Sequence, residues 1–420
     1  MVSVLAWLPA WQEAPTIRAH GARVPCLRMG TSEAPPCPRM GFEGQPDCYD
    51  GRIELRVNHM NATILRTSLA GLLAGQAIAP AHAEAPQPYG RLYLGLEDIR
   101  LQGSARPAAL RLSNYRSVFG VRGDEDLGGG LHLLFQVEGT VSPDTGSGAF
   151  AARDTRIGLA GPWGTLFAGN WSTPYNTASA SLDPFYPTTA GYMSIMGNGS
   201  APTADNTSDT SSFDRRQRNS VHYWSPAWHG ASLRMAQGLN EETPANGARP
   251  SLSSGALQFQ DGHLYAALAY ERHHDYRGPG LSDHAVKLAA SWQFGTITLA
   301  GAAEQLHYET ATGVLERRDY YLSLSRQAGR HGLRLGVAKA GDGRGGSTES
   351  VGFVSAGRDT GAVHATVGYD YTLSKRSSLF VFYTRLRNER AGVVDFAING
   401  VEGGAGSTAS GLALGMRHAF

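Results

Sequence analysis

Apolar side chains alternate with polar or small ones along most of the chain beyond residue 88. One segment places its apolar residues at every second position, at Leu131, Leu133, Phe135 and Val137. A later segment repeats the pattern at Val286, Leu288, Ala290 and Trp292. A period of two predicts β-strands with one apolar face. About sixteen such segments, each roughly ten residues long, lie between Tyr89 and Phe420.

The connections between these segments fall into two alternating classes. Some are short, such as residues 161–164 and 373–377, whereas others are long and polar, such as 308–317 and 388–408. This alternation is typical of a transmembrane up-and-down barrel. The longest connection, 172–214, is polar and interrupted by prolines, which suggests a functional loop. In a wide barrel, such a loop can fold inward and narrow the lumen.

A soluble β-sandwich is the main alternative, because its strands also alternate polar and apolar residues. Two features favour the barrel: the segments exceed the usual five or six residues of soluble strands, and aromatic residues cluster near the turns, as in an interfacial girdle. No run of 18 apolar residues occurs, so transmembrane helices are not expected. The fold prediction is therefore an all-β, antiparallel transmembrane barrel of about 16 strands. The aromatic residues near the turns are Trp163, Tyr223, Trp224, Trp228, Trp292, Phe294, Tyr369 and Tyr371.

The N-terminal part has a different character. Residues 1–59 contain all three cysteines and show no sustained periodicity, so we expect a non-native upstream extension or an unstructured segment. Residues 60–83 have a signal peptide's features: an apolar run and the small-x-small site Ala81-His82-Ala83. A buried helix is the alternative. Cleavage after Ala83 would leave a mature barrel domain at 84–420, which is 420 − 83 = 337 residues.

Charge and motifs indicate little other chemistry. The formal net charge of +1 predicts no nucleic-acid partner. The run His273-His274-Asp275 could bind a metal but has no second ligand pair, and we expect neither a metal site nor a cofactor. Ser220, His132 and His222 could serve a hydrolase, although no motif singles them out.

Several stretches resemble a known family in the same order along the chain. They are FGVRGDEDLGGG at 119–130, IGLAG at 157–161, RNSVHY at 218–223, GYDYTLSKRS at 368–377, and a last strand that ends in the aromatic Phe420. Together they resemble the general diffusion porins of Gram-negative outer membranes, in the trimeric form common in β-proteobacteria. The resemblance covers nearly all of residues 89–420.

The resemblance implies a sixteen-stranded barrel whose third loop, here 172–214, forms an eyelet of acids facing arginines. Where family members commonly carry an arginine after the fifth strand, this chain has Asn170, which weakens the expected transverse field. Inward parity would add Arg417 to the basic side. The implied constriction residues are Arg91, Arg122, Arg156, Asp183, Asp205, Asp209, Asp214, Arg215, Arg216 and Arg218.

The expected function is an outer-membrane porin for passive diffusion of small hydrophilic solutes and ions, and not an enzyme. An outer-membrane β-barrel hydrolase and a solute-specific channel remain alternatives. The expected partners are membrane lipid, lipopolysaccharide and two further copies in a homotrimer, with Leu92, Leu94, Leu412 and Leu414 in part of the contact. Because the arginines outnumber the loop acids at the constriction, we expect a weak preference for anions.

Overall fold

The computed structural model describes residues 85–102 and 108–420. The upstream extension expected at 1–59 and the signal peptide expected at 60–83 lie outside the described residues. No helix in the described part is long and apolar enough to cross a membrane.

The described residues form twenty strands, one α-helix and one 3-10 turn. The helix α1 is Pro174–Ala180 and the 3-10 turn is Tyr192–Ser194. The strands are β1 (Gln87–Gln102), β2 (Ala109–Asn114), β3 (Val118–Gly128), β4 (Leu131–Ser142), β5 (Ser147–Ala149), β6 (Thr155–Gly161), β7 (Gly164–Ser172), β8 (Ala201–Ala204), β9 (Arg215–Trp224), β10 (Ala231–Gly238), β11 (Ser251–Asp261), β12 (Leu264–His274), β13 (Ser282–Phe294), β14 (Ile297–Thr310), β15 (Gly313–Ala328), β16 (His331–Ala340), β17 (Arg344–Gly345), β18 (Ala362–Thr372), β19 (Ser377–Asn388) and β20 (Thr408–Ala419).

Sixteen antiparallel strands close into a barrel. Strands β2 and β3 both pair with β1 and act as one strand of the barrel, while β5, β8 and β17 are short additions to it. The last strand, β20, pairs with β1 along twelve residue positions and closes the cylinder. The predicted fold class is thereby confirmed. A closed barrel leaves no strand edge with unpaired backbone groups, which a lipid environment requires.

The two faces of each strand differ as the alternation predicts. In β13, Leu288 is 60% exposed on the outer face, whereas its neighbour Lys287 is only 1% exposed on the inner face. The same contrast holds for Leu322 outside and Tyr321 inside on β15. An exposed aliphatic outer surface is what a membrane-spanning barrel presents to lipid.

The lengths of the connections between strands agree with the prediction at most positions and differ from it at one. The turn after β6 and the long connection at 173–214 have nearly the predicted bounds. The long loop predicted at 308–317 is wrong, because β14 and β15 pair from Thr310↔Gly313 onward and leave a two-residue turn. Its polar residues, among them His307 and Glu316, belong to the paired strands β14 and β15.

Candidate functional site

The connection between β7 and β9, residues 173–214, lies against inward-facing side chains of β11 to β18. We call this side of the barrel the loop-bearing wall. The loop begins with α1, whose N-cap Thr173 accepts a hydrogen bond from the Asn176 amide, with a proline in the first turn. Four hydrogen bonds tie the loop to strands of this wall. They join Tyr265 to Ala178, Ser323 to Leu182, Arg334 to Pro184, and Thr366 to Ala190.

Small side chains on the loop-bearing wall make room for large ones on the loop. The inward positions of β11 to β16 are rich in buried alanines, including Ala267, Ala289 and Ala338. Loop residues such as Tyr175 and Met193 pack into the same buried cluster. Because the wall contributes methyl groups and the loop contributes large side chains, the interface fills without overpacking.

Buried charges of the loop-bearing wall occur as ion pairs. Lys287 lies 3.3 Å from Glu304, and Arg317 lies 2.8 Å from Asp319. Glu304 also accepts hydrogen bonds from the hydroxyl of Tyr175, at 2.8 Å, and from the backbone of Gly197. One wall carboxylate therefore holds two separate points of the loop.

The loop acid Asp183 is buried and fully engaged. Its carboxyl accepts hydrogen bonds from the backbone amides of Phe185 and Tyr192 and from the hydroxyl of Tyr321 on β15. Burial raises the pKa of Asp183 to about 6, although these hydrogen bonds act in the opposite direction. Asp183 thus fixes the loop to the wall.

Asp214, at the end of the loop, is buried at 2% exposure, and neither of its carboxyl oxygens has a hydrogen-bond partner. Burial raises its pKa to about 7. The charges of Lys287, Arg116 and Arg216 act against this rise, whereas that of Glu304 adds to it. Burial therefore favours the protonated form of Asp214.

The remaining two loop acids are less buried than Asp183 and Asp214. Asp205 caps a turn by accepting from the amides of Thr207 and Ser208. Although partial burial acts against it, this hydrogen bonding lowers the pKa of Asp205 to about 2. Asp209 is exposed and has a positive φ of 48°.

Five inward-facing arginines outside the loop-bearing wall lack a carboxylate partner. No carboxylate oxygen of the described residues lies within 4.0 Å of a guanidinium nitrogen of these five arginines. Most lie over aromatic rings: Arg122 lies 5.3 Å from the ring centroid of Tyr89, and Arg417 lies 5.9 Å from that of Tyr93. We call this set the arginine wall; it comprises Arg91, Arg122, Arg156, Arg234 and Arg417.

The three arginines that were predicted to line the constriction from the start of β9 have different environments. Arg215 is buried, donates to the backbone of Asp205 and lies over Tyr276. Arg216 is also buried and forms a 2.7 Å ion pair with Asp154. Neither faces an open lumen as a free charge.

The inward orientation expected for Arg218 is wrong. A register shift between β7 and β9, where Gly169 pairs with Ser220 but Trp171 pairs with Gln217, inserts an extra residue into β9. The bulge turns the exposed Arg218 toward the outer face, where it lines a recess with Ala168. A single extra residue reverses the facing of a strand position.

Sequence reasoning missed Arg234 as a lumen residue. It lies on β10 between the outward Leu233 and Met235, so the same alternation that predicted Arg122 was available. Its guanidinium lies 4.7 Å from the ring centroid of Trp224. Trp224, which was assigned to an interfacial girdle, also lies beside these lumen arginines, and Trp171 was given no role.

The candidate hydrolase and metal residues do not form such centres in the described part of the chain. The Ser220 hydroxyl lies 3.0 Å from His222 Nε2, but it also reaches two backbone carbonyls, and His222 Nδ1 has no partner to orient it. His132 pairs with Asp124 at 2.8 Å. His273 contacts Glu271, and no group of three or more candidate metal ligands occurs among the described residues.

A closed barrel with an apolar outer face and charged residues along its lumen has the construction of a transmembrane channel. The chain belongs to the Gram-negative porin family, whose model matches residues 67–391. It is an outer-membrane porin, and its function is a channel for passive diffusion.

The relatives to which the chain is similar are also porins. The chain is 28% identical over 316 residues to outer membrane porin protein 32 of Delftia acidovorans, covering 72% of this chain and 84% of that protein. An outer membrane porin protein of Bordetella pertussis is 25% identical over 405 residues, covering 84% and 98% of the two chains. In fold, the chain is similar to an anion-selective porin from Comamonas acidovorans, with a TM-score of 0.69, 24% identity, and coverage of 80% and 99%.

Proposed function

We propose that the loop 172–214 narrows the lumen and that the channel weakly prefers anions. The observation that carries this proposal is the arginine wall, whose five guanidinium groups have no carboxylate within 4.0 Å. Arginine remains ionised at any physiological pH, and arginines lining a pore favour anions.

The loop acids do little to oppose this field. Asp183 is engaged by three hydrogen bonds, and Asp214 is buried with a raised pKa. Asp205 caps its own turn next to Asn206, which donates to the backbone of Leu239, and Asp209 is exposed. The constriction residues that matter most in this proposal are therefore Arg91, Arg122 and Arg156. The Comamonas acidovorans porin of the same fold is anion-selective.

Reversal potentials in a potassium chloride gradient test the selectivity. We expect the wild-type channel to pass chloride in modest preference to potassium, and Arg122→Ala or Arg156→Ala to shift the potential toward cation preference. Arg218→Ala is the matched control, since this arginine lies on the outer face and should leave the potential unchanged. A wild-type channel that strongly prefers potassium would refute the proposal.

We also propose that the protein is a homotrimer whose contact includes the first and last strands. Leu92, Leu412 and Leu414 are exposed on the outer face of the paired strands β1 and β20, and Leu94 lies beside them. An apolar outer face at this seam fits a neighbouring subunit as well as lipid. Migration at monomer mass only, in mild detergent without heating, would contradict the trimer.

Membrane lipid and lipopolysaccharide are the further proposed partners. The outward leucines, such as Leu268 and Leu288, fit acyl chains. The exposed Arg385 and Arg387 near the loop end of β19 fit anionic head groups.

We propose export with cleavage after Ala83, which leaves residues 84–420 as the mature porin. The apolar run and the Ala81-His82-Ala83 site support this. N-terminal sequencing of protein from outer membranes should begin at Glu84, and a start well upstream of that residue would contradict it.

A further inference from the structure

An aromatic cluster lines the inner face of β7 and β9. The ring of Phe167 stacks on His222 at 4.8 Å and contacts the edges of Trp171 and Trp224 at 5.3 and 5.0 Å. These residues occupy the inward positions of their strands, where a general diffusion lumen needs only polar groups. Their concentration on one arc of the lumen calls for a specific explanation.

Two arginines of the arginine wall lie over these rings. The Arg156 guanidinium carbon lies 4.7, 4.3 and 5.1 Å from the ring centroids of Phe167, Trp171 and Trp224. On the neighbouring strand, Arg234 lies 4.7 Å from the centroid of Trp224. Trp224 therefore lies close to two guanidinium groups.

The hydrogen-bonding capacity of Arg156 is left open. Its Nε and Nη1 atoms are buried and have no hydrogen-bond partner. Buried donors are normally paired, because leaving them unsatisfied costs free energy. A guanidinium that stacks its face on rings still presents its N–H groups at the edge. A planar carboxylate can accept two of these at once.

A second cation lies close to Arg156. Arg122 lines the same recess, which has a volume of about 260 Å³ and is also bordered by Leu134 and Gln136. The one acid of this recess, Asp124, pairs with His132 at 2.8 Å. The recess and the aromatic cluster thus place arginines that have no carboxylate partner beside the flat faces of aromatic rings.

We propose that this arc of the lumen is a binding site for aromatic carboxylates on their way through the channel. Arg156, with Arg122 or Arg234, receives the carboxylate. The solute ring lies against the partly exposed Trp224, which the buried Trp171 supports from behind. An aliphatic carboxylate meets the arginines alone, and a neutral aromatic meets only the tryptophans. Contacts between aromatic rings favour benzoate over acetate by roughly tenfold in dissociation constant. The inference rests on the proposed anion-preferring channel and assigns it a solute class.

Block of chloride current through the full-length porin in planar bilayers tests the site. Sodium benzoate, cyclohexanecarboxylate and acetate are titrated at constant ionic strength. Benzoate should halve the current at roughly a tenth of the acetate concentration. Trp224→Leu and Trp171→Leu should remove most of that advantage. Trp228→Leu, in an exposed turn away from the cluster, is the control and should behave as wild type.

Calorimetric titration of the detergent-solubilised porin with benzoate provides a readout that does not depend on conduction. Binding that is lost in Trp224→Leu and retained in Trp228→Leu supports the site. Equal block by benzoate, cyclohexanecarboxylate and acetate in a channel that prefers chloride overturns the aromatic site and leaves the proposed channel standing. Benzoate binding in a channel that prefers potassium supports the site and overturns the proposed selectivity.

Discussion

The two sides of the lumen use charged residues in opposite ways. On the loop-bearing wall, each buried cation has a carboxylate beside it, as in Lys287 with Glu304 and Arg317 with Asp319. On the arginine wall, Arg122 and Arg156 lie over aromatic rings and have no such partner. Paired charges hold the loop in place and cancel at a distance, whereas unpaired charges set the potential that a passing ion meets.

The largest expected effect follows from breaking a pair on the loop-bearing wall. Glu304→Ala removes the acceptor for Tyr175 and Gly197 and leaves the buried Lys287 without a carboxylate within 4.0 Å. Breaking one member of a buried ion pair costs about 3–5 kcal/mol. We therefore expect the loop to detach and the single-channel conductance and current noise to rise.

Glu316→Ala is the matched control for this measurement. Glu316 lies on the adjacent strand, and its side chain is 39% exposed. Its only ion pair within the described part of the chain is with His307. Its removal should leave conductance and noise unchanged. Wild-type conductance in Glu304→Ala would show that the Lys287 pair does not hold the loop.

The next effect concerns pH and arises from Asp214. Burial raises the pKa of Asp214 in the docked loop to about 7. In a detached loop this carboxyl would have its ordinary pKa of about 4, so the docked loop keeps a proton that the detached loop loses. Docking is therefore most stable below about pH 4, weakens as the pH rises, and levels off above about 7. The full change is on the order of a few kcal/mol.

Hydrogen exchange of the loop amides, corrected for the intrinsic pH dependence, measures this change. Asp183 contributes in the same direction, but only up to its pKa of about 6. Between pH 6 and 8 the wild-type loop should lose protection, and Asp214→Asn should abolish that loss. A slope that persists in Asp214→Asn would assign the titration to another group.

The sequence predicted the barrel and the bounds of its longest loop, because both depend on local patterns. Strict alternation determines which face of a strand a residue occupies, and prolines with polar residues separate the loop from its flanking strands. The same logic failed at Arg218, where one inserted residue changes the face of the strand that the side chain occupies. It also failed at 308–317, where polar residues continue two paired strands.

The roles of the loop acids could not be predicted from local patterns. Asp183 is bound by Tyr321, a residue 138 positions away in the chain, and Asp214 is buried by strands that follow it. Whether an acid faces the lumen, caps a turn or is buried depends on contacts that only the closed barrel creates. Arg234, in contrast, was predictable from its strand and was missed.

A smaller effect on the reversal potential is expected when both members of an ion pair are neutralised together. Arg153 and Glu138 form a 2.8 Å ion pair next to the arginine wall. The double substitution Arg153→Gln with Glu138→Gln removes one charge of each sign, so the reversal potential should change little. Arg153→Gln alone leaves Glu138 unpaired and should shift the potential toward cations. Equal shifts in the single and double variants would contradict the distinction between paired and unpaired charges.

The smallest effect is expected at Asn170, where the family commonly has an arginine. Asn170 borders the recess of Arg218 on the outer face and donates to the backbone of Arg153. A charge there is separated from the lumen by the sheet and screened by solvent within about 10 Å at 0.1 M salt. Asn170→Arg should therefore change the reversal potential by only a small fraction of the shift caused by Arg122→Ala. An increase in anion preference as large as that shift would mean that position 170 reaches the lumen, and the two walls would then not account for the selectivity on their own.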